Sequence, residues 1–337
     1  MALLHAIGFE WATHEDNISS VGSVGYSTTP KRSGNYSICL MCAGGEFYTS
    51  FYLPLAASLS EFFVQFALYF TNNPTGAGGI IAWRNGTTTL GGIRLNINRK
   101  LDVYTGNFAT LVASGNTILN INTWYVIEVH VKIADSGGVI EVRLDMNDET
   151  AFSGDTKPGA ETQVDGLRFG NIYTGTGYSY IDDLLVHDVS GTVNNSWPNG
   201  AKVVLLKPNA DGSTLQWTPT PSGSHYATVD EVPPSNTDYL RAAEVDKVDE
   251  LGLEDLPTEA LSVKGVVLQA WALKGSAVSP TQLALGLNLG GVDYYTADKV
   301  LGTSQALVRE LWNQKPGGGA FSVADVNGAK LLLKSRE

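Results

Sequence analysis

Charge is scarce in this chain, and positive charge scarcer still. Of 337 residues 17% are charged, with 22 Lys and Arg against 34 Asp and Glu. The formal charge of −12, without a basic run anywhere, excludes nucleic acid as a partner, because phosphate polymers demand clustered Lys and Arg. No stretch approaches the roughly 20 apolar residues of a membrane helix, which excludes that route to a membrane. Residues 1–10 lack the basic start and apolar run of a signal peptide, so synthesis and residence in a cytoplasm are expected. Only two cysteines are present, Cys39 and Cys42. Their spacing suits half a zinc site or a redox pair, but no further ligands lie nearby. Positions three apart in a strand also face opposite ways, so two structural thiols in a strand over residues 37–43 are expected.

What the chain does have is glycine, 37 residues of it, and an excess of strand and turn formers over helix formers. An all-β protein is expected, long enough for two domains with separate cores. Over residues 124–133 the two-residue period sets Tyr125, Ile127, Val129, Val131 and Ile133 on one face, with Glu128, His130 and Lys132 on the other. Residues 139–146 alternate likewise, Ile140, Val142, Leu144 and Met146 against Glu141, Arg143 and Asp145. Residues 61–70 are apolar on both faces, which predicts a central strand covered on both sides. Short strands at intervals of about 10 residues indicate a sandwich or jelly roll. The polar, turn-rich run 191–200 is expected to link a first domain, 1–190, to a second, 201–337. In the second, alternation predicts strands at 201–206, 261–273 and 281–289, and acidic 244–256 is read as a solvated stretch holding one short helix.

Several short motifs follow one another in a definite order. Trp124-Tyr125-Val126-Ile127-Glu128-Val129 precedes Gly138-Val139-Ile140-Glu141-Val142-Arg143-Leu144-Asp145, then Val164-Asp165-Gly166-Leu167-Arg168-Phe169-Gly170 and Tyr180-Ile181-Asp182-Asp183. This order resembles the concanavalin A-like (laminin G-like) jelly rolls, and more narrowly those in virion proteins of tailed bacteriophages. The opening Ile7-Gly8-Phe9-Glu10 and the later Asp211-Gly212-Ser213-Thr214-Leu215-Gln216-Trp217 are similar to that group too. The resemblance implies an N-terminal concanavalin A-like jelly-roll sandwich and a second, smaller β-sandwich. It further implies a structural part of a virion, in the tail, the baseplate or on the capsid surface. Its partners would be other virion proteins and copies of itself, as a trimer or hexamer.

Candidate chemistry is thin. Glu141 and Asp145 share a strand face but stand about 13 Å apart, whereas a retaining glycosidase needs carboxyls at roughly 5–5.5 Å. No catalysis is expected. Binding of a host-surface polysaccharide is the alternative function, since sugars offer C–H faces to aromatic rings and hydroxyls to polar loops. Trp83 and Asn85, with Tyr173 and Tyr178, are the candidate sugar contacts, against a reading in which such aromatics close a core or pack a neighbouring subunit. Asp182 and Asp183 alternate across a strand, so one must point inward and find loop amides or a calcium ion, the latter with Asp165 or Asn171. No other cofactor is expected.

Overall fold

A computed structural model describes residues 2–42, 47–76, 78–171, 177–275 and 280–337. The chain divides into two compact units, Met1–Val203 and Val204–Glu337. Both are built almost entirely from antiparallel strands, as the glycine- and strand-rich composition predicts.

The first unit runs through β1 (Leu3–Ile7), β2 (Ser19–Val21), β3 (Val24–Ser27), β4 (Ser37–Cys42), β5 (Ser50–Leu59), β6 (Glu61–Phe70), β7 (Gly78–Asn85) and β8 (Thr88–Leu95). It continues through β9 (Leu101–Thr105), β10 (Thr110–Ser114), β11 (Tyr125–Lys132), β12 (Gly138–Leu144), β13 (Asn147–Gly154), β14 (Val164–Gly170) and β15 (Gly177–Asp188). One sheet has eight strands in the order β13-β12-β11-β6-β15-β4-β3, with β1 also on β15. The other has seven, ordered β10-β9-β8-β7-β14-β5-β2. Early strands thus pair with late ones, β4 with β15 and β5 with β14, which is the wrapping of a jelly roll. The alternation read from the sequence aims Ile127, Val129 and Val131 of β11 and Ile140, Val142 and Leu144 of β12 into the space between the sheets. Phe66 of β6 meets Phe169 of β14 edge-on at 5.2 Å, and Phe51 of β5 stacks on Phe169 at 4.8 Å, so one aromatic cluster joins both sheets.

β6 is central, between β11 and β15, and apolar on both faces as expected. Its outer face is covered by the segment expected to be a linker. Trp197 meets Phe63 of β6 at 5.1 Å, and Arg143 of β12 lies 4.0 Å over the indole. The backbone beyond Trp197 then meets polar side chains that the sheet points outward. Asn199 N–H donates to Glu128 at 2.5 Å, Gln65 Nε2 donates to the Ala201 carbonyl at 2.7 Å, and Val203 N–H donates to Asp183 at 2.6 Å. Glu128, expected to face solvent, is therefore buried. Residues 201–203 take no strand conformation; their backbone bonds to side chains of the sheet instead.

Two further segments differ from the sequence expectation. Residues 145–146 are a turn with positive φ at Asp145 and Met146, so β12 ends at Leu144, and Asp145 does not share a strand with Glu141. In the second unit, acidic Val248–Leu253 is a strand, because it is paired on both sides. The sheet there is ordered Pro208–Leu215, Val248–Leu253, Lys330–Arg336, Gln282–Leu289, Val292–Tyr295. A ribbon of Val266–Ala272 and Ala306–Trp312 supplies Leu268 and Val308 to the core formed with Leu283, Leu285 and Leu333 of the sheet.

Candidate functional site: the outer face of the seven-stranded sheet

Strand alternation divides the residues of β7, β8 and β14 between two faces. Ile81, Trp83, Ile93, Leu167 and Phe169 turn into the core. Their neighbours turn outward, and the pairing aligns them: Tyr104 of β9 opposite Gly92, Gly92 opposite Ala82, Ala82 opposite Arg168, Arg168 opposite Tyr52. Arg84 lies opposite Gly166, two residues along from Arg168, and Arg94 is two residues along from Gly92. Three arginines from three adjoining strands therefore share one face of a protein whose formal charge is −12.

Glycine makes this face hollow. A Cβ at Gly92 would collide with the Phe108 ring, one at Gly166 with the end of Tyr52, and one at Gly170 with Phe47. The aromatic rings thus occupy space that side chains on the sheet would otherwise fill. Phe47 and Phe108 approach to 5.7 Å between centroids, and Tyr104 meets Phe108 at 5.9 Å. Beneath them a cavity of about 300 Å³ is floored by Ala82 and walled by Arg94, Arg168, Thr89 and Asn107.

The aromatics also hold the guanidinium groups. Arg94 lies 4.5 Å from the Phe108 ring centre and 4.8 Å from that of Tyr104, while Arg168 lies 5.1 Å from that of Phe47. Arg168 donates through Nε to Ser50 Oγ at 3.1 Å and through one terminal nitrogen to the Phe47 carbonyl at 3.0 Å. Arg84 donates to the Thr87 carbonyl at 2.8 Å, and its Nε is buried with no hydrogen-bond partner. Neither Arg84 nor Arg168 forms an ion pair among the described residues. Burial, with the nearby charge of Arg84 added, lowers the pKa of Arg168. Two acids lie close by, Asp102 opposite Arg94 in the pairing of β8 with β9, and Asp165 next to Gly166. Asp165 accepts from Gly86 N–H at 2.9 Å, and Asp102 accepts from Ser114 Oγ at 2.8 Å and Asn96 Nδ2 at 3.1 Å.

The sugar contacts expected from the sequence fall elsewhere. Trp83 is fully buried in the core, its indole accommodated by the bare Cα of Gly91, so it offers no face to a ligand. Alternation in β7 turns Trp83 inward and places Arg84 outward. Asn85, half-exposed, donates to the Gln163 carbonyl at 3.0 Å at the rim of the sheet. Tyr178 is 43% exposed but belongs to β15 in the other sheet, 6.3 Å from the Tyr180 ring. Tyr173 lies outside the described residues. The structure does not bring the three described residues, Trp83, Asn85 and Tyr178, together in one site. Arg84, Arg94 and Arg168 carried no sequence signal as a group, because 84 residues separate the first from the last; the one local hint was glycine at strand positions 92, 166 and 170.

Asp182 and Asp183 are both fully buried, and the loop at 32–33 meets them as the loop-amide reading expected. Asp182 Oδ2 accepts the N–H groups of Arg32 at 2.8 Å and Ser33 at 3.2 Å, and its Oδ1 accepts that of Asp183 at 2.8 Å. Asp183 takes Ser33 Oγ and the Arg32 guanidinium, each at 2.5 Å. The calcium reading of this pair does not fit: N–H and O–H donors engage all four carboxylate oxygens, and Asp165 belongs to the other sheet. Glu10 lies beside the pair, with Oε2 accepting Asn35 N–H at 2.5 Å and Oε1 buried without a partner. Burial, followed by the charges of Asp182, Glu15 and Asp183, pushes the Glu10 carboxyl up to about 8 despite the Asn35 bond. At neutral pH it keeps its proton.

No protein-family model and no curated protein matches this chain. Solved structures do, over about half of it. The cellulose-induced protein Cip1 is 15% identical over 54% of this chain and 96% of its own, with a TM-score of 0.43. Domain 4 of AbnA, an extracellular arabinanase from Geobacillus stearothermophilus, is 15% identical over 56% and 93%, at 0.38. The carbohydrate-binding module CBM66 from Bacillus subtilis is 13% identical over 51% and 95%, at 0.34. Strand order and facing sheets make the first unit an antiparallel jelly-roll sandwich, and the second unit is a smaller β-sheet structure with its own core.

Proposed function

We propose that the first unit is a glycan-binding module and that the sugar chain lies across the outer face of the seven-stranded sheet. One observation carries this reading: Phe47 and Phe108, with Tyr104 packed against Phe108, stand at a polar-walled cavity of about 300 Å³ on the sheet face. Aromatic faces take the C–H surface of a sugar, while Thr89, Asn107 and the arginines supply partners for its hydroxyls. The volume sits at the small end of ligand cavities, roughly 300–1,000 Å³, and fits a short piece of a chain. The protein acts by binding, without turnover: Asp102 and Asp165 are tied to their own loops, and no carboxyl pair spans the cavity among the described residues. The test is affinity electrophoresis of the full chain through gels containing individual polysaccharides. Retardation by at least one polymer, diminished in Tyr104→Ala and Phe47→Ala, supports the reading. Uniform mobility across neutral and acidic polymers would refute it, and released reducing sugar would refute the absence of turnover.

The order of sequence motifs supports a setting for this activity in a tailed-phage particle, assembled in the host cytoplasm from this chain and other virion proteins. Quantitative mass spectrometry of purified particles tests that setting. Copies in threes or sixes fit a receptor-contacting tail position, hundreds fit capsid decoration, and none removes it.

A further inference from the structure

We infer that the ligand of this face is an acidic polysaccharide, one whose sugars carry carboxylates. The inference rests on the glycan-binding reading and narrows it. A neutral sugar needs donors and acceptors in similar measure. The charged side chains that line the cavity are instead donors only, Arg94 and Arg168, with Arg84 on the strand between theirs, and each guanidinium is planar and forked to match a carboxylate.

These arginines do not behave like surface charges that happen to be close. Arg94 and Arg168 are each backed by an aromatic ring, and Arg168 is further fixed by its bonds to Ser50 and the Phe47 carbonyl. Fixed guanidinium groups lose little freedom when they bind a carboxylate. Arg168 feels the charge of Arg84, neither forms an ion pair among the described residues, and the buried Nε of Arg84 is unsatisfied. Holding desolvated like charges together is unfavourable unless an anion joins them. The remainder of a −12 protein repels polyanions, so the arginine face is where an acidic chain would be drawn in. Aromatic rings beside the cations favour a polymer with C–H faces between its charges, as a polyuronate has.

The experiment is isothermal titration of the full-length protein with polygalacturonate, hyaluronan, fully methyl-esterified polygalacturonate, dextran and single-stranded DNA. The expected result is binding of at least one polyuronate and about tenfold or greater weakening by methyl esterification, which removes charge from the same backbone. Arg84→Gln and Arg168→Gln should each weaken binding by about tenfold as well, and added salt should weaken it further. The ester comparison needs no variant, so a misfolded mutant cannot decide the outcome. If neutral and esterified polymers bind as well as acidic ones, the inference fails while the glycan reading stands. If no sugar polymer binds, both fail. Equal binding of DNA overturns the inference in favour of an unselective polyanion surface.

Discussion

Phe108 occupies the space that a side chain on Gly92 would need, although Gly92 lies within β8 and Phe108 in the turn between β9 and β10. The ring reaches that position from a residue with positive φ, and a Cβ at 92 would meet the Ile81 carbonyl as well. The hollow on this sheet therefore depends on the absence of atoms at one position.

Gly92→Ala is expected to destabilise the first unit by about 1–3 kcal/mol, the usual cost of overpacking, and to reduce glycan binding through displacement of Phe108. Urea denaturation and gel retardation of the same sample check both. Unchanged stability and binding would show that ring and strand yield freely.

The boundary of the first unit offers a second test. Residues 196–203 hydrogen-bond to Glu128, Gln65, Asp183 and His187 on the outer face of the eight-stranded sheet. Each such buried group left without a partner costs about 1–3 kcal/mol, against a total stability of about 5–15 kcal/mol. A fragment of residues 1–203 should unfold cooperatively, whereas 1–190 should be marginal or molten by near-ultraviolet circular dichroism. Equal urea midpoints for the two would make 191–203 a linker after all.

Stability should also depend on pH through Glu10. Its carboxyl titrates near 4.5 when unfolded and is raised to about 8 by burial in the folded state. Between those values the folded protein holds a proton that the unfolded chain has lost. The contribution of this group is therefore complete below about pH 4.5 and declines as pH rises towards 8. Glu10→Gln should raise the Tm at pH 8 and flatten its pH dependence. A lower Tm in Glu10→Gln at pH 8 would mean that the folded state uses the ionised carboxylate, with a cation beside it.

In the second unit, Asp249 is fully buried and accepts the N–H groups of Gln216 and Trp217, each at 2.7 Å, and His225 Nδ1 at 2.6 Å. Asp249→Ala would strand those donors together and is expected to cost about 3–5 kcal/mol. Differential scanning calorimetry should show the loss in the transition of the second unit. A shift of less than about 1 kcal/mol would place Asp249 at the surface.

Strand identity was largely legible because alternation is local: Ile140, Val142 and Leu144 reveal their shared face within five residues. The same logic misplaced Glu128 and the 244–256 stretch. A polar residue in an alternating strand reads as solvent-facing unless another segment covers it, and the segment covering Glu128 lies 71 residues away. Asp249 and Glu250 suggest a solvated stretch until residues 213–217, His225 and Lys330 are folded against them.

The candidate site divides in the same way. Trp83 drew attention as an aromatic among polar neighbours, yet the two-residue period sends it inward and Arg84 outward. From its sequence alone this protein is an all-β, acidic chain with strands of defined inward and outward residues, since side-chain direction follows from backbone pleat over a few residues. Only the tertiary structure decided which outward faces meet water. That depends on pairings between distant strands, on a strap that closes one sheet, and on three glycines across which aromatic rings leave the arginine face of the other sheet open.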